Sequence, residues 1–225
     1  MKITEIKTLK FSTPYGDGKV FGQPKGVRTF VLIEVKTNKK ISGIGETYSG
    51  IYAPELIEHV VLYISKYLLN KNPLNSNLLS DELNLPFIGQ NGLIKSVISA
   101  IEIAICDIVS KSNNIPMFKL FKKTKLHKLN AYASGGSVVY TPRQIEQDIS
   151  NILLKDFKAY KMRIGYQKML IDIERIKTAK NSLGKNNYLM LDAIMGTLKN
   201  KWNYKKALRN IYRVSKFKPL WIEEP

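Results

Sequence analysis

Apolar and polar residues alternate from Lys2 to Lys10, and a β-branched run, Arg28-Thr29-Phe30-Val31-Leu32-Ile33-Glu34-Val35-Lys36-Thr37, leads through Asn38-Lys39-Lys40 into Ile41-Ser42-Gly43-Ile44-Gly45-Glu46. A period of two broken by turn residues predicts an antiparallel meander. Between its first two strands, Ser12 to Gly26 carries Gly16, Gly18, Gly22, Gly26, Pro14 and Pro24. That density of breakers predicts a long loop, either a lid or a plain surface connection. The period then lengthens. Leu56, Ile57, Val60, Val61, Ile64 and Leu68 predict a helix from Pro54 to Leu69, and Leu93 to Ser110, apolar on all sides, predicts a buried one. Strands followed by helices define an α+β domain over roughly the first 125 residues.

Past Leu126 strand and helix alternate. Leu129 to Tyr132 reads as a short strand, and Thr141-Pro142 as an N-cap with proline in the first turn of a helix reaching about Lys155. Phe157 to Ile164 is the next strand, Lys168 to Leu183 the next helix, and Gly184 its C-cap. Tyr188 to Asp192, Tyr204 to Ser215 and Leu220 to Glu223 continue as strand, helix and strand. Successive βα units predict parallel strands with right-handed crossovers, as at the start of a β/α barrel.

The open face of such a barrel lies at the C-terminal strand ends, and these ends are polar. The first finishes in Ala133-Ser134-Gly135-Gly136, the second in Lys161-Met162-Arg163, the third in Asp192, the fourth in Glu223-Glu224-Pro225. Lys161 and Arg163 lie two apart and share a face. Asp192 and Glu223 fall on consecutive strands, about 5 Å apart. Carboxylates so placed are hard oxygen ligands of the kind Mg²⁺ prefers, and neighbouring cations would hold an anionic substrate against the metal. The pattern leaves a second reading open, in which these groups form salt bridges with one another.

Charge adds one constraint. The chain has 36 Lys and Arg against 18 Asp and Glu, a formal net charge of +18. The cations are dispersed, in a composition also rich in Asn and Ile, and lack the focused stripe of a nucleic-acid site; no nucleic-acid partner is expected. No apolar run has the length of a membrane span and Met1-Lys2-Ile3-Thr4 opens directly into strand alternation, so a cytoplasmic protein with no membrane partner is expected. The single cysteine, Cys106, lies among Ile101, Ile103, Ala104, Ile105 and Ile108 and is expected to be a buried structural thiol. His59 and His127 are assigned surface or packing roles.

At these strand ends the chain resembles the mandelate racemase and muconate lactonizing enzyme branch of the enolase superfamily. The resemblance runs from Gly43-Ile44-Gly45-Glu46-Thr47-Tyr48 through Ala100-Ile101-Glu102-Ile103-Ala104-Ile105-Cys106-Asp107-Ile108 and Pro116-Met117-Phe118-Lys119-Leu120-Phe121. It continues over Phe157 to Gly165, Leu191-Asp192-Ala193 and Trp221-Ile222-Glu223-Glu224-Pro225. It implies an α+β N-terminal cap domain over residues 1–125, and over 126–225 the first half of a parallel β/α TIM-type barrel, truncated after the fourth of eight strands. It further implies removal of the proton α to a substrate carboxylate with Mg²⁺ neutralising the charge that develops. By position Asp192 and Glu223 would be metal ligands, Glu224 would support them, and Lys161 would be the first lysine of a Lys-x-Lys motif. Arg163 stands at the second lysine, and a guanidinium is a poor proton acceptor. Ile194 stands where many relatives carry Asn. Both departures turn the expectation from racemisation toward dehydration of a sugar acid, with a base and a third carboxylate from later strands. Racemisation, epimerisation, cycloisomerisation or an inactive remnant are the alternatives. Cap-loop tyrosines Tyr15, Tyr48 and Tyr52 would contact an acid sugar or other small carboxylate, and the full-length form would be a homo-oligomer.

Overall fold

The computed structural model describes residues 1–14, 27–75, 82–83, 91–121 and 128–225. Two compact units divide the chain, Met1–Lys125 and Leu126–Pro225.

In the first unit β1 (Ile3–Pro14), β2 (Val27–Thr37) and β3 (Ser42–Thr47) form an antiparallel sheet in sequence order. β1 runs past the expected loop boundary: Ser12, Thr13 and Pro14 pair with Thr29, Arg28 and Val27, because β2 offers a continuous β-branched partner up to its own start. The rest of that loop, with Tyr15, lies outside the described residues. Alternation on β2 puts Val31, Ile33 and Val35 into the core, where they meet Ile57, Val61, Ile64 and Leu68 of α1 (Pro54–Leu68) and Val97, Ala100, Ile101, Ala104 and Ile108 of α2 (Gly92–Ser112). α2 presses its backbone onto β3. A Cβ on Gly43 would lie 1.9 Å from the Ala104 carbonyl oxygen, and one on Gly45 1.9 Å from that of Ala100, so the Gly-Ile-Gly spacing is what admits the helix. α2 is not apolar all round in its packing: Ile103 is exposed, and Cys106, expected to be buried, is only half-buried because positions 105 and 108 take the core-facing side. Burial still raises its thiol pKa. A single turn, α3 (Phe118–Phe121), follows. No helix among the described residues is long and apolar enough to cross a membrane.

The second unit is a four-stranded parallel sheet of β4 (Ala133–Gly135), β5 (Ala159–Arg163), β6 (Tyr188–Asp192) and β7 (Ile222–Glu223), ordered as in the chain. Between the strands run α4 (Pro142–Leu154), α5 (Met169–Leu183) and α6 (Tyr204–Ser215). This is a partial β/α barrel of the TIM type. β4 lies at Ala133–Gly135 and not at Leu129–Tyr132; β5 starts only at Ala159, so the ladder begins with Ala133 opposite Tyr160, and Leu129 is left exposed. α4 begins with a complete capping box. The Gln144 amide donates to Thr141 Oγ1, and the Thr141 amide donates to Gln144 Oε1. On β5, Tyr160 and Met162 are buried against the helices, and Lys161 and Arg163 point to the opposite face.

Candidate active site

The C-terminal ends of β5, β6 and β7 are in register, Arg163 beside Asp192 and Asp192 beside Glu223. This converges three side chains. Lys161 Nζ donates to Glu223 Oε2 at 2.9 Å and Oε1 at 3.2 Å and lies 3.7 Å from Asp192 Oδ2. It also lies 5.7 Å from the centre of the Tyr132 ring. The Lys161 side chain is 13% exposed and that of Asp192 10%, against 40% for Glu223, so the cluster is sealed on the β5–β6 side and open at β7.

Asp192 is held by its own turn. Its Oδ1 accepts the Ile194 amide at 2.9 Å, which closes an Asx-type turn and leaves Oδ2 facing the lysine. That turn places Ile194 at φ 48°, left-handed backbone that a β-branched side chain adopts at a cost and Asn adopts readily. Glu224, at φ 47°, supports the same loop: its Oε2 accepts the Gly196 amide at 3.3 Å, and its carbonyl accepts that of Met195 at 3.2 Å.

The charges compete. Burial raises the Asp192 pKa above the usual carboxylate value, the charges of Glu223 and Glu224 add to the rise, and the Ile194 amide and Lys161 counter it without prevailing. The hydrogen bond from Lys161 lowers the Glu223 carboxyl. Burial would lower the Lys161 ammonium, but the Glu223 hydrogen bond and the carboxylate charges outweigh it, and the net shift is upward. Arg163 is exposed on the same face and adds its positive field at Glu223. At Asp192 the effect of burial therefore outweighs the lysine charge.

Asp192 Oδ2 and the Glu223 carboxylate are hard oxygen donors on neighbouring strand ends, so the donor chemistry fits Mg²⁺. They are two ligands and no more: among the described residues no group of three or more His, Cys, Asp or Glu gathers in a metal-binding arrangement. Lys161, Asp192 and Glu223 come together and Arg163 borders them, whereas Glu224 turns its carboxylate to the loop. In the first unit Tyr48 and Tyr52 are exposed and pair with each other, hydroxyl to hydroxyl at 2.9 Å. His59 is exposed, and His127 lies outside the described residues. Sequence reasoning passed over Tyr132, Asp148, Tyr160, Asp172 and Arg175. The last two carried a signal, a charged pair on the same helical face as Ile176, Ala179 and Leu183.

A cap-like α+β unit followed by parallel strands that end in carboxylates and a lysine defines an enzyme class of the β/α-barrel type. Residues 23–121 match the family model described as mandelate racemase / muconate lactonizing enzyme, N-terminal domain, and residues 144–225 match the one described as enolase C-terminal domain-like. The chain belongs to the enolase superfamily, in its mandelate racemase and muconate lactonizing enzyme branch. It is 26% identical over 225 residues to the L-talarate/galactarate dehydratase of Salmonella typhimurium, a match covering 96% of this chain and 54% of the relative. It is 30% identical over 141 residues to the 3,6-anhydro-alpha-L-galactonate cycloisomerase of Streptomyces coelicolor, covering 63% of this chain and 37% of that one. The crystal structure of the Salmonella dehydratase, liganded with Mg and L-lyxarohydroxamate, superposes with a TM-score of 0.85 at 24% identity, over 100% of this chain and 58% of that chain. The chain thus spans about half the length of the dehydratase it matches.

Proposed function

We propose that these residues contribute the metal-holding carboxylates and the electrophilic edge of a sugar-acid dehydratase. The observation that carries this reading is the Lys161 ammonium poised between carboxylates of two consecutive strand ends, 2.9 Å from Glu223 and 3.7 Å from Asp192. Asp192 and Glu223 would hold Mg²⁺, which supplies positive charge where the substrate carboxylate becomes more negative. Lys161, beside both carboxylates, would stabilise negative charge on the substrate as it forms. Arg163 would bind a substrate carboxylate through its planar fork. Loss of the α proton and of the β hydroxyl as water leaves an enol, which becomes an α-keto acid. The dehydratase relative supports this chemistry for the whole protein. A cycloisomerase is the second reading, supported by the relative at 30% identity.

The test has two parts. Mn²⁺, as a spectroscopic substitute, should bind the parent chain weakly, with Kd on the order of millimolar for a site with so few carboxylates. Asp192→Asn and Glu223→Gln should remove that binding. The whole protein with Mg²⁺ and a panel of aldonates and aldarates should release α-keto acid; isomerised lactone without keto acid would favour the cycloisomerase. Mn²⁺ binding indifferent to Asp192→Asn would defeat the metal reading.

A further inference from the structure

Arg175, on α5, is fully buried, and every one of its N–H donors is used. Nε donates to the Tyr140 carbonyl at 2.8 Å. Nη1 donates to the Arg163 carbonyl at 3.2 Å and to Asp172 Oδ1 at 2.6 Å. Nη2 donates to the Ser137 carbonyl at 2.6 Å and to the Gly136 carbonyl at 3.4 Å. Apart from Asp172, all these acceptors are backbone oxygens just beyond β4 or at the last residue of β5. Asp172, equally buried, extends the grip with Oδ2, which accepts the Gly165 amide at 2.8 Å.

The β5 terminus is engaged at successive groups. The Arg163 amide donates to the Gly136 carbonyl at 3.1 Å, the Arg163 carbonyl accepts from Arg175, the Ile164 amide donates to the Asp192 carbonyl at 2.8 Å, and the Gly165 amide donates to Asp172. Gly136 is held from both sides, its amide donating to Asp148 Oδ2 at 3.0 Å and its carbonyl accepting from Arg175. A buried ion pair is a poor device for fastening a helix to a sheet, since apolar residues of similar volume do so as well or better. Four directed donors aimed at backbone carbonyls around the strand ends, with a fifth on Asp172, are suited to something else.

We propose that Arg175, with Asp172, is a positioning residue. It clamps the C-terminal ends of β4 and β5 so that Lys161 and Arg163 keep their placement opposite Asp192 and Glu223. The proposal rests on the metal-site reading above for its purpose, though the clamp can be measured without it. Arg175→Lys keeps the charge beside Asp172 but loses the planar fork, and an ammonium cannot reach acceptors spread over three segments.

Amide hydrogen exchange on the 225-residue chain tests the clamp. In the parent, the amides of Arg163, Ile164 and Gly165 should exchange as slowly as those of Leu189 to Leu191 in β6. In Arg175→Lys they should exchange about tenfold faster, the effect of losing a charge-assisted hydrogen bond, with β6 unchanged. Mn²⁺ affinity should fall by about tenfold as well, the usual cost of removing a support behind a ligand set. Fast exchange at 163–165 in the parent would overturn the proposal without any variant having to fold. So would uniform acceleration through α5 and β6, or loosened strand ends with unchanged Mn²⁺ affinity. Parent binding that ignores Asp192→Asn is a failure of the metal reading, and the exchange pattern then still decides whether the clamp exists.

Discussion

Tyr160 shows how a single buried hydroxyl records its surroundings. It is fully buried on β5, and its hydroxyl donates a hydrogen bond to Asp148 Oδ2, the same oxygen that receives the Gly136 amide. Burial first, then the Asp148 hydrogen bond and charge, raise its pKa far above the ordinary value near 10. The folded protein therefore keeps this proton at a pH where the unfolded chain releases it. Stability from this group is fully present below the unfolded pKa and is lost as pH rises above it. The loss should approach about 1.4 kcal/mol per pH unit for one proton. Tyr160→Phe should remove about 1.4 kcal/mol in total from the loss of stability between pH 9 and 11, read by urea unfolding; an unchanged alkaline limb would refute the assignment. Residue chemistry was partly legible in the sequence. Lys161, Asp192 and Glu223 sit at strand ends and announce themselves by polarity in an apolar frame. Tyr160 does not, because an aromatic at a core position looks like packing until its hydroxyl partner, twelve residues earlier on α4, is brought beside it.

At the scale of elements, the contact of α2 with β3 shows why two glycines flank Ile44. A methyl group on Gly45 would sit 1.9 Å from the Ala100 carbonyl oxygen, a backbone atom that can yield only if the whole helix moves. Gly45→Ala should cost roughly 3 kcal/mol or more, at the upper end for overpacking. Urea unfolding of the first unit's signal would measure it, and a loss below 1 kcal/mol would mean the helix slides freely. The cap of α4 was equally legible, and Thr141→Ala should cost about 1 kcal/mol. Period and caps made most elements visible beforehand. β4 was misjudged because Leu129 to Tyr132 has the apolar character of a strand. A three-residue strand is defined by its partner, and only the start of β5 at Ala159 fixes that register.

The whole chain has two opposing surface features. Its net charge of +18 repels other copies, while the second unit exposes Leu154, Leu170, Tyr204, Leu208 and Tyr212. The break between units was visible as a change from strands-then-helices to strict alternation, and uncovered apolar faces were expected of a partial barrel; which helix residues stay exposed was not visible, since helical periodicity does not say which stripe finds a partner. These exposed side chains lie on helices of the second unit and favour contact between copies through helix faces. Contact between helix faces is then the drive to association, and long-range repulsion the brake. The Debye length is about 14 Å at 50 mM salt and about 4 Å at 500 mM, so added salt weakens the brake and leaves the apolar drive intact. Sedimentation velocity at tens of micromolar should therefore show self-association that increases from 50 to 500 mM NaCl. Association that dissolves in salt would instead identify ionic contacts, and a monomer throughout would show that these faces do not associate.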